Sequence, residues 1–159
     1  MNVTRWADNP IIEPEDIKSS RDGFEVVGVF NAGVARLADE IILLLRVAER
    51  PISKDPNVQL VGIYDDGCDK IVLKELFKDE PGSDFSDPRL IKTATGTFLT
   101  SISHLRVARS RDGVNFEIED GPALASAKSY ESFGIEDPRI SFIEGRFYIS
   151  YVGISAVGI

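Results

Sequence analysis

The sequence predicts an all-β chain of the β-propeller class, read here as a truncated array of about three blades. Three observations lead there. Long stretches of 3.6-residue periodicity are scarce, and short β-rich runs bounded by turn signals dominate. Tight-turn dipeptides recur, as Asp66-Gly67, Asp112-Gly113 and Glu144-Gly145, where glycine accepts the positive φ of a hairpin turn at little cost. One pattern (polar start, strand, tight turn, apolar strand) occurs three times, at residues 30–46, 86–101 and 136–151. Within it the triplets Asp87-Pro88-Arg89 and Asp137-Pro138-Arg139 stand 50 residues apart, and Asn31 precedes Asp87 by 56. Periods of this length with several strands each mark propeller blades.

Strands are expected over residues 26–30, 40–47, 58–64, 89–93, 97–103, 105–110, 139–143 and 146–152. Residues 69–78 suit a helix or a strand, and Ile71, Val72 and Leu73 favour strand. The blade-like units fall near 20–75, 80–125 and 130–159. The run from Ser110 to Phe116 reads as an outer hairpin, an Asp-Gly turn followed by an apolar anchor, with no chemistry of its own. Three blades do not close a ring, and repeat arrays need capped ends. The apolar tail at 153–159 has no cap. The expectation is a truncated chain whose open edge is covered by another copy of itself, a homo-oligomer.

Composition narrows the function. Against 18 Lys and Arg stand 26 Asp and Glu, a net charge of −8, which disfavours nucleic acid and anionic membranes as partners. The longest apolar run, residues 41–45, ends at Arg46 and is far short of a membrane span. Residues 1–6 lack the apolar core of a signal peptide. The single cysteine, Cys68, cannot form an internal disulfide and sits in an acidic turn that disfavours a thiolate. A cytoplasmic protein is expected.

The candidate chemistry lies in Gly134-Ile135-Glu136-Asp137-Pro138-Arg139-Ile140. Pro138 pushes Asp137 toward extended geometry and removes a backbone donor, so the triplet is expected to start a strand sharply. Glu136 adds like charge, and partial burial raises the pKa of either acid, as a general acid requires. The bland reading is also open. Asp87 shares the triplet, and an Asp-Pro-Arg in every blade pins blades together through Arg–carboxylate pairs. Asn31 is either a ligand contact or a turn residue capping its strand. Arg46 ends an apolar run, where an arginine snorkels outward or is held by a carboxylate. His104, the only histidine, is either a hydrogen-bonded structural residue or part of a channel wall. No second His or nearby Cys joins it, so no metal site is expected.

These residues carry a family resemblance. Gly-Ile-Glu-Asp-Pro-Arg-Ile, the earlier Phe-Asn-Ala-Gly (30–33), Leu-Leu-Leu-Arg-Val-Ala-Glu-Arg (43–50) and Asn-Pro-Ile-Ile-Glu-Pro (9–14) resemble glycoside hydrolase family 130, the β-mannoside phosphorylases and related mannosidases. The resemblance covers about the N-terminal half of a member. It implies a five-bladed β-propeller with the site in its central channel, and Asp137 as general acid. Phosphorolysis (or hydrolysis) of a β-mannoside would proceed with inversion. One acid suffices for phosphorolysis, since anionic phosphate needs no general base. It further implies sugar contacts from Asn31, Arg46 and Arg50, with Asp87, His104 and Glu136 as the other substrate-binding candidates. The implied partners are an oligosaccharide or sugar phosphate. No cofactor is implied, only inorganic phosphate as co-substrate in a phosphorylase. The alternative is a non-catalytic, carbohydrate-binding or structural propeller fragment that self-associates.

Overall fold

The structure is a computed structural model that describes residues 7 and 9–156. The expectations for residues 1–6 and for the last residues of the tail, 157–159, lie outside the described residues. Ten strands run in chain order: β1 (Phe24–Leu37), β2 (Glu40–Pro51), β3 (Val58–Asp65), β4 (Lys70–Phe77), β5 (Leu90–Thr93), β6 (Gly96–Leu99), β7 (Ile102–Ser110), β8 (Glu117–Ile118), β9 (Ile135–Ile143) and β10 (Arg146–Gly153). Two single-turn 3-10 segments, Pro14–Asp16 and Ser129–Glu131, are the only helical pieces among the described residues. The chain is all-β.

One sheet has four strands in the order β1-β2-β7-β8; β3-β4, β5-β6 and β9-β10 are separate antiparallel hairpins. Each of the three repeated segments contains one hairpin: β1-β2, β5-β6 and β9-β10. The Glu144-Gly145 turn closes β9-β10 with φ of 49° and 78°, the double positive φ of a two-residue hairpin loop. The 70–77 segment is strand β4, paired with β3 from Val58↔Phe77 to Asp65↔Lys70. The four-stranded sheet draws on distant parts of the chain, because β7 joins β2 from Ile41↔Ser110 to Glu49↔Ile102.

Strand boundaries differ from expectation most clearly at three places. β1 runs through Asn31-Ala32-Gly33 where a break was expected, because a bulge absorbs the irregular residues. The Asp137 triplet lies inside β9 and does not start it, again at a bulge, which is where a sheet tolerates proline. Residues 102–110 form one strand through His104, and the bend falls earlier, at Thr100 and Ser101.

β2 explains its own apolar run. Leu44 packs with Leu105 and Ile135 on one face, and Leu45 and Val47 pack with Ile17 and Ala108 on the other. A strand covered on both sides reads as continuous hydrophobic sequence, and each such side chain contributes about 1.5–3 kcal/mol relative to exposure. A third cluster, Val61, Leu76, Ile91, Phe98 and Phe133, joins the β3-β4 and β5-β6 hairpins, with Phe98 and Phe133 edge-to-face at 6.5 Å. The β9-β10 hairpin is different. All eight residues of β10 are exposed, as are Phe142 and Ile143 of β9.

Candidate functional site

Two bulges build the site. In β1, Phe30 pairs with Arg46 and Gly33 with Leu44, so Asn31 and Ala32 together oppose Leu45. In β9, Glu136 pairs with Val152 and Arg139 with Ser150, so Asp137 and Pro138 together oppose Tyr151. Asn31 (φ 43°) and Asp137 (φ 51°) both take left-handed backbone, which Asn and Asp tolerate better than other side-chain-bearing residues. Their side chains meet: Asn31 Nδ2 donates to Asp137 Oδ1 at 2.9 Å, across 106 residues of sequence.

Arg46 is the hub. Its Nη1 donates to Asp137 Oδ1 at 3.0 Å and its Nη2 to Glu136 Oε1 at 2.5 Å. Its guanidinium carbon lies 5.1 Å from the centre of the Phe30 ring, a cation–π distance. Ser103 Oγ donates to Glu136 Oε1 at 3.1 Å. Both protein bonds to the Asp137 carboxylate land on Oδ1, and Oδ2 has no partner among the described residues.

Glycine makes the approach possible. Gly134 has φ 105°, and a Cβ there would sit 2.3 Å from Ser103 O and 2.5 Å from Ser103 N. Ser103 and Gly134 form a parallel bridge, which brings the acidic segment against β7 and so against Arg46 on the neighbouring β2.

The two acids diverge. Burial raises the pKa of Glu136 against the opposing pull of Arg46 and Ser103. Asp137 goes the other way, below the ordinary carboxylate range, first through the Asn31 bond and then through Arg46. The sequence expectation that burial would raise either acid therefore holds for Glu136 and is corrected for Asp137. Two donors on one oxygen outweigh a modest desolvation.

Arg46 and Glu136 form part of the wall of a cleft of about 510 Å³, with Phe30, Arg50, Arg89 and Thr100 among its other lining residues. Arg50 is tied to Glu25 at 2.6 Å. Asp87 stands apart from the Arg46 cluster. It accepts from the backbone N and guanidinium of its own neighbour Arg89 at 2.9–3.1 Å, and this grip lowers its pKa to about 2. His104 also lies away from the cluster. It is 4% exposed beside Arg106, whose Nη2 is 3.3 Å from His104 Nε2. Burial first, then Arg106, lowers its pKa to about 3.

Four contributors have roles that only the structure shows. Ser103 carries no motif, Phe30 stands in the Phe-Asn-Ala-Gly motif without a role of its own in sequence, and Gly134 shows its purpose only beside Ser103. Glu131, 2% exposed, accepts from Ala127 N and from the Tyr151 hydroxyl at 2.7 and 3.1 Å, bracing the loop ahead of β9. The Gly134-Ile135-Glu136 prefix was the one available signal. Among the described residues no group of three or more His, Cys, Asp or Glu could hold a metal ion, and no helix is long and apolar enough to cross a membrane.

Residues 98–159 match the family model of glycoside hydrolase family 130, described as beta-1,4-mannooligosaccharide phosphorylase. A Beta-1,2-mannobiose phosphorylase of Listeria innocua is 39% identical over 163 residues, covering 100% of this chain and 46% of that relative. A 1,2-beta-oligomannan phosphorylase of Thermoanaerobacter sp. is 44% identical over 52 residues, covering 33% of this chain and 18% of that relative. The solved structure of the Listeria innocua Beta-1,2-Mannobiose phosphorylase in its beta-1,2-mannobiose complex matches with TM-score 0.93 at 40% identity, over 99% of this chain and 46% of that one. The chain thus spans less than half the length of these relatives. The alignment spans all of this chain, the backbone matches, and the acidic bulge lies inside the matched residues: the chain is similar throughout to glycoside hydrolase family 130.

Proposed function

We propose that the chain contributes the sugar-protonating part of a β-mannoside phosphorylase, within a five-bladed β-propeller. The observation that carries this reading is the cluster of Asn31, Arg46, Glu136 and Asp137 built around two facing bulges, in a chain whose whole length aligns with 46% of a Beta-1,2-mannobiose phosphorylase. Asp137 is the general acid. Arg46 and Asn31 fix Oδ1, which leaves Oδ2 to carry the proton. That proton passes, through a hydroxyl of the sugar, to the departing glycosidic oxygen as the bond to the anomeric carbon breaks. A phosphate oxygen forms the new bond to that carbon from the opposite face, giving a mannose 1-phosphate with inversion. Asp137 is held low in the free chain. The negative charge of bound phosphate, and any displacement of Arg46 or Asn31 by sugar hydroxyls, would raise it toward the range an acid needs. Asn31, Arg46 and Arg50 contact sugar hydroxyls in this reading, and Glu136 serves chiefly to hold Arg46. Asp87 and His104 take part only through a ligand that reaches beyond this cluster.

The test is mannose 1-phosphate formation from β-1,2-mannobiose and inorganic phosphate. Asp137→Asn is expected to lose at least about 100-fold, the lower end of what general acid catalysis supplies. Mannose 1-phosphate formation that Asp137→Asn leaves undiminished overturns the reading.

The exposed β10 supports a second proposal, that copies of the chain associate through this edge. Phe147, Tyr148, Ile149, Tyr151 and Val152 are each more than 40% exposed, on a strand whose only partner among the described residues is β9. Such an edge is a template for further pairing. Sedimentation analysis is expected to show dimers or larger species, and a stable monomer across the micromolar range rules this out. The acidic charge and the lone exposed Cys68 fit a cytoplasmic setting, which we also propose and which localisation of a tagged chain would check.

A further inference from the structure

His104 is not absorbed by the Asp137 cluster, and its protonation state points to another role. Arg106 Nη2 faces His104 Nε2 at 3.3 Å. A guanidinium has only donors, so Nε2 accepts. With a pKa held near 3 by burial and then by Arg106 and Arg21, the ring is neutral at physiological pH. Its one proton is therefore on Nδ1, which has no hydrogen-bond partner among the described residues and is not sealed from solvent. His104 lines a cavity of about 430 Å³ that shares Ser103 with the Asp137 cluster but includes none of Asn31, Arg46, Glu136 or Asp137.

The remaining lining is rich in donors. Arg21 and Lys70 bring two cations. Arg21 Nε is spent on Ser20 Oγ at 3.3 Å and lies 3.8 Å from the buried Glu49 carboxylate, while its two terminal nitrogens have no hydrogen-bond partner among the described residues. The lining carboxylate, Asp69, accepts from the Tyr64 hydroxyl at 2.7 Å, a bond that pushes Tyr64 up to about 12. Ser126 donates to Glu131 O at 2.9 Å, which leaves its oxygen able to accept. Donors come from three separate elements: β7 (His104), the segment before β1 (Arg21) and the start of β4 (Lys70). Convergence from three directions suits a tetrahedral oxyanion better than a planar carboxylate, which prefers one bidentate fork.

We propose that this cavity is a binding site for a phosphate group, held by His104 Nδ1–H, Arg21 and Lys70, separate from the site of bond cleavage. The group belongs either to inorganic phosphate or to a sugar phosphate. The proposal does not depend on the catalytic reading, since a chain that turns over nothing would still bind here.

One histidine gives one imidazole signal, so NMR reads the site without ambiguity. The full chain is titrated with inorganic phosphate, with mannose 1-phosphate, and with potassium chloride at matched ionic strength. A saturable shift of the His104 ring signals is expected from one or both phosphates and not from chloride. The stronger phosphate identifies the source. Arg21→Gln, at a half-buried side chain, and Lys70→Gln, at an exposed one, are each expected to weaken the apparent Kd by about tenfold, the loss of one charge-assisted bond. Asp137→Asn is expected to leave the titration unchanged. Three results overturn the proposal: a ring signal that does not move or moves equally with chloride, an unchanged Kd in both Arg21→Gln and Lys70→Gln, or loss of the response in Asp137→Asn.

Discussion

Asp87-Pro88-Arg89 and Asp137-Pro138-Arg139 are the same three residues, and the fold puts them to opposite uses. Asp87 turns inward on its own triplet, with its carboxylate spent on Arg89. Asp137 turns away from its triplet. Arg139 donates to the backbone oxygens of Asp137 and Pro138 at 3.3 and 3.1 Å, and the carboxylate goes to Asn31 and Arg46. The first triplet lies in the turn ahead of a four-residue strand; the second sits at positive φ in a bulge of a nine-residue strand. A triplet therefore closes on itself by default and is opened by its partners. What opens it is a distant arginine, a facing bulge, and a glycine that lets the chain approach.

Removing the glycine is the largest expected break. In Gly134→Ala the new Cβ meets Ser103 backbone, which cannot swing aside as a side chain would, and the backbone at φ 105° is strained for any L residue. A loss of roughly 3 kcal/mol or more in urea unfolding followed by far-UV circular dichroism is expected. The Asp137 triplet is then expected to resemble the Asp87 one, with Arg139 rather than Arg46 as its nearest cation.

Exchanging the arginines is next. Arg46→Met leaves the 15%-exposed Glu136 and the 35%-exposed Asp137 side by side with no cation between them. A loss of about 2 kcal/mol is expected, less than for a fully buried pair because water reaches both acids. Arg89→Met at the other copy is expected to leave the unfolding midpoint where it is, since that side chain is 82% exposed. Equal losses in the two variants would mean that the two triplets do the same structural work.

This contrast also marks what the sequence could tell. The hairpins were legible because their turns are local: Glu144-Gly145 and the alternating runs beside it carry their own signal. Asp137 was legible through its Gly-Ile-Glu prefix, and Arg46 as an arginine ending an apolar run. The pairing of β2 with β7 was not, because the residues between them form two hairpins that give no cue to it. Ser103 was lost with that pairing, and so was the side of β7 on which His104 lies. The depressed pKa of Asp137 was missed for the same reason. Its first cause is Asn31, 106 residues earlier, while burial, the one term readable from neighbours, pushes the other way.

Asn31→Ala isolates that cause and is expected to have the smallest effect of the three substitutions around Asp137. The substitution removes one of two donors to Asp137 Oδ1 and leaves alanine at φ 43°, a cost of about 1 kcal/mol. The Asp137 carboxyl, followed by its ¹³C shift against pH, is expected to titrate higher than in the wild type. Asp87, held by Arg89 alone, is expected to stay in place as an internal reference. The sign carries over to stability. A carboxyl depressed in the fold stabilises it above the unfolded pKa, and that contribution fades as pH falls through the folded value. Relieving the depression therefore makes the acid limb of the stability curve shallower in Asn31→Ala. If Asp137 titrates unchanged, Arg46 alone holds it, and the facing bulge of β1 shapes the cleft without setting the charge in it.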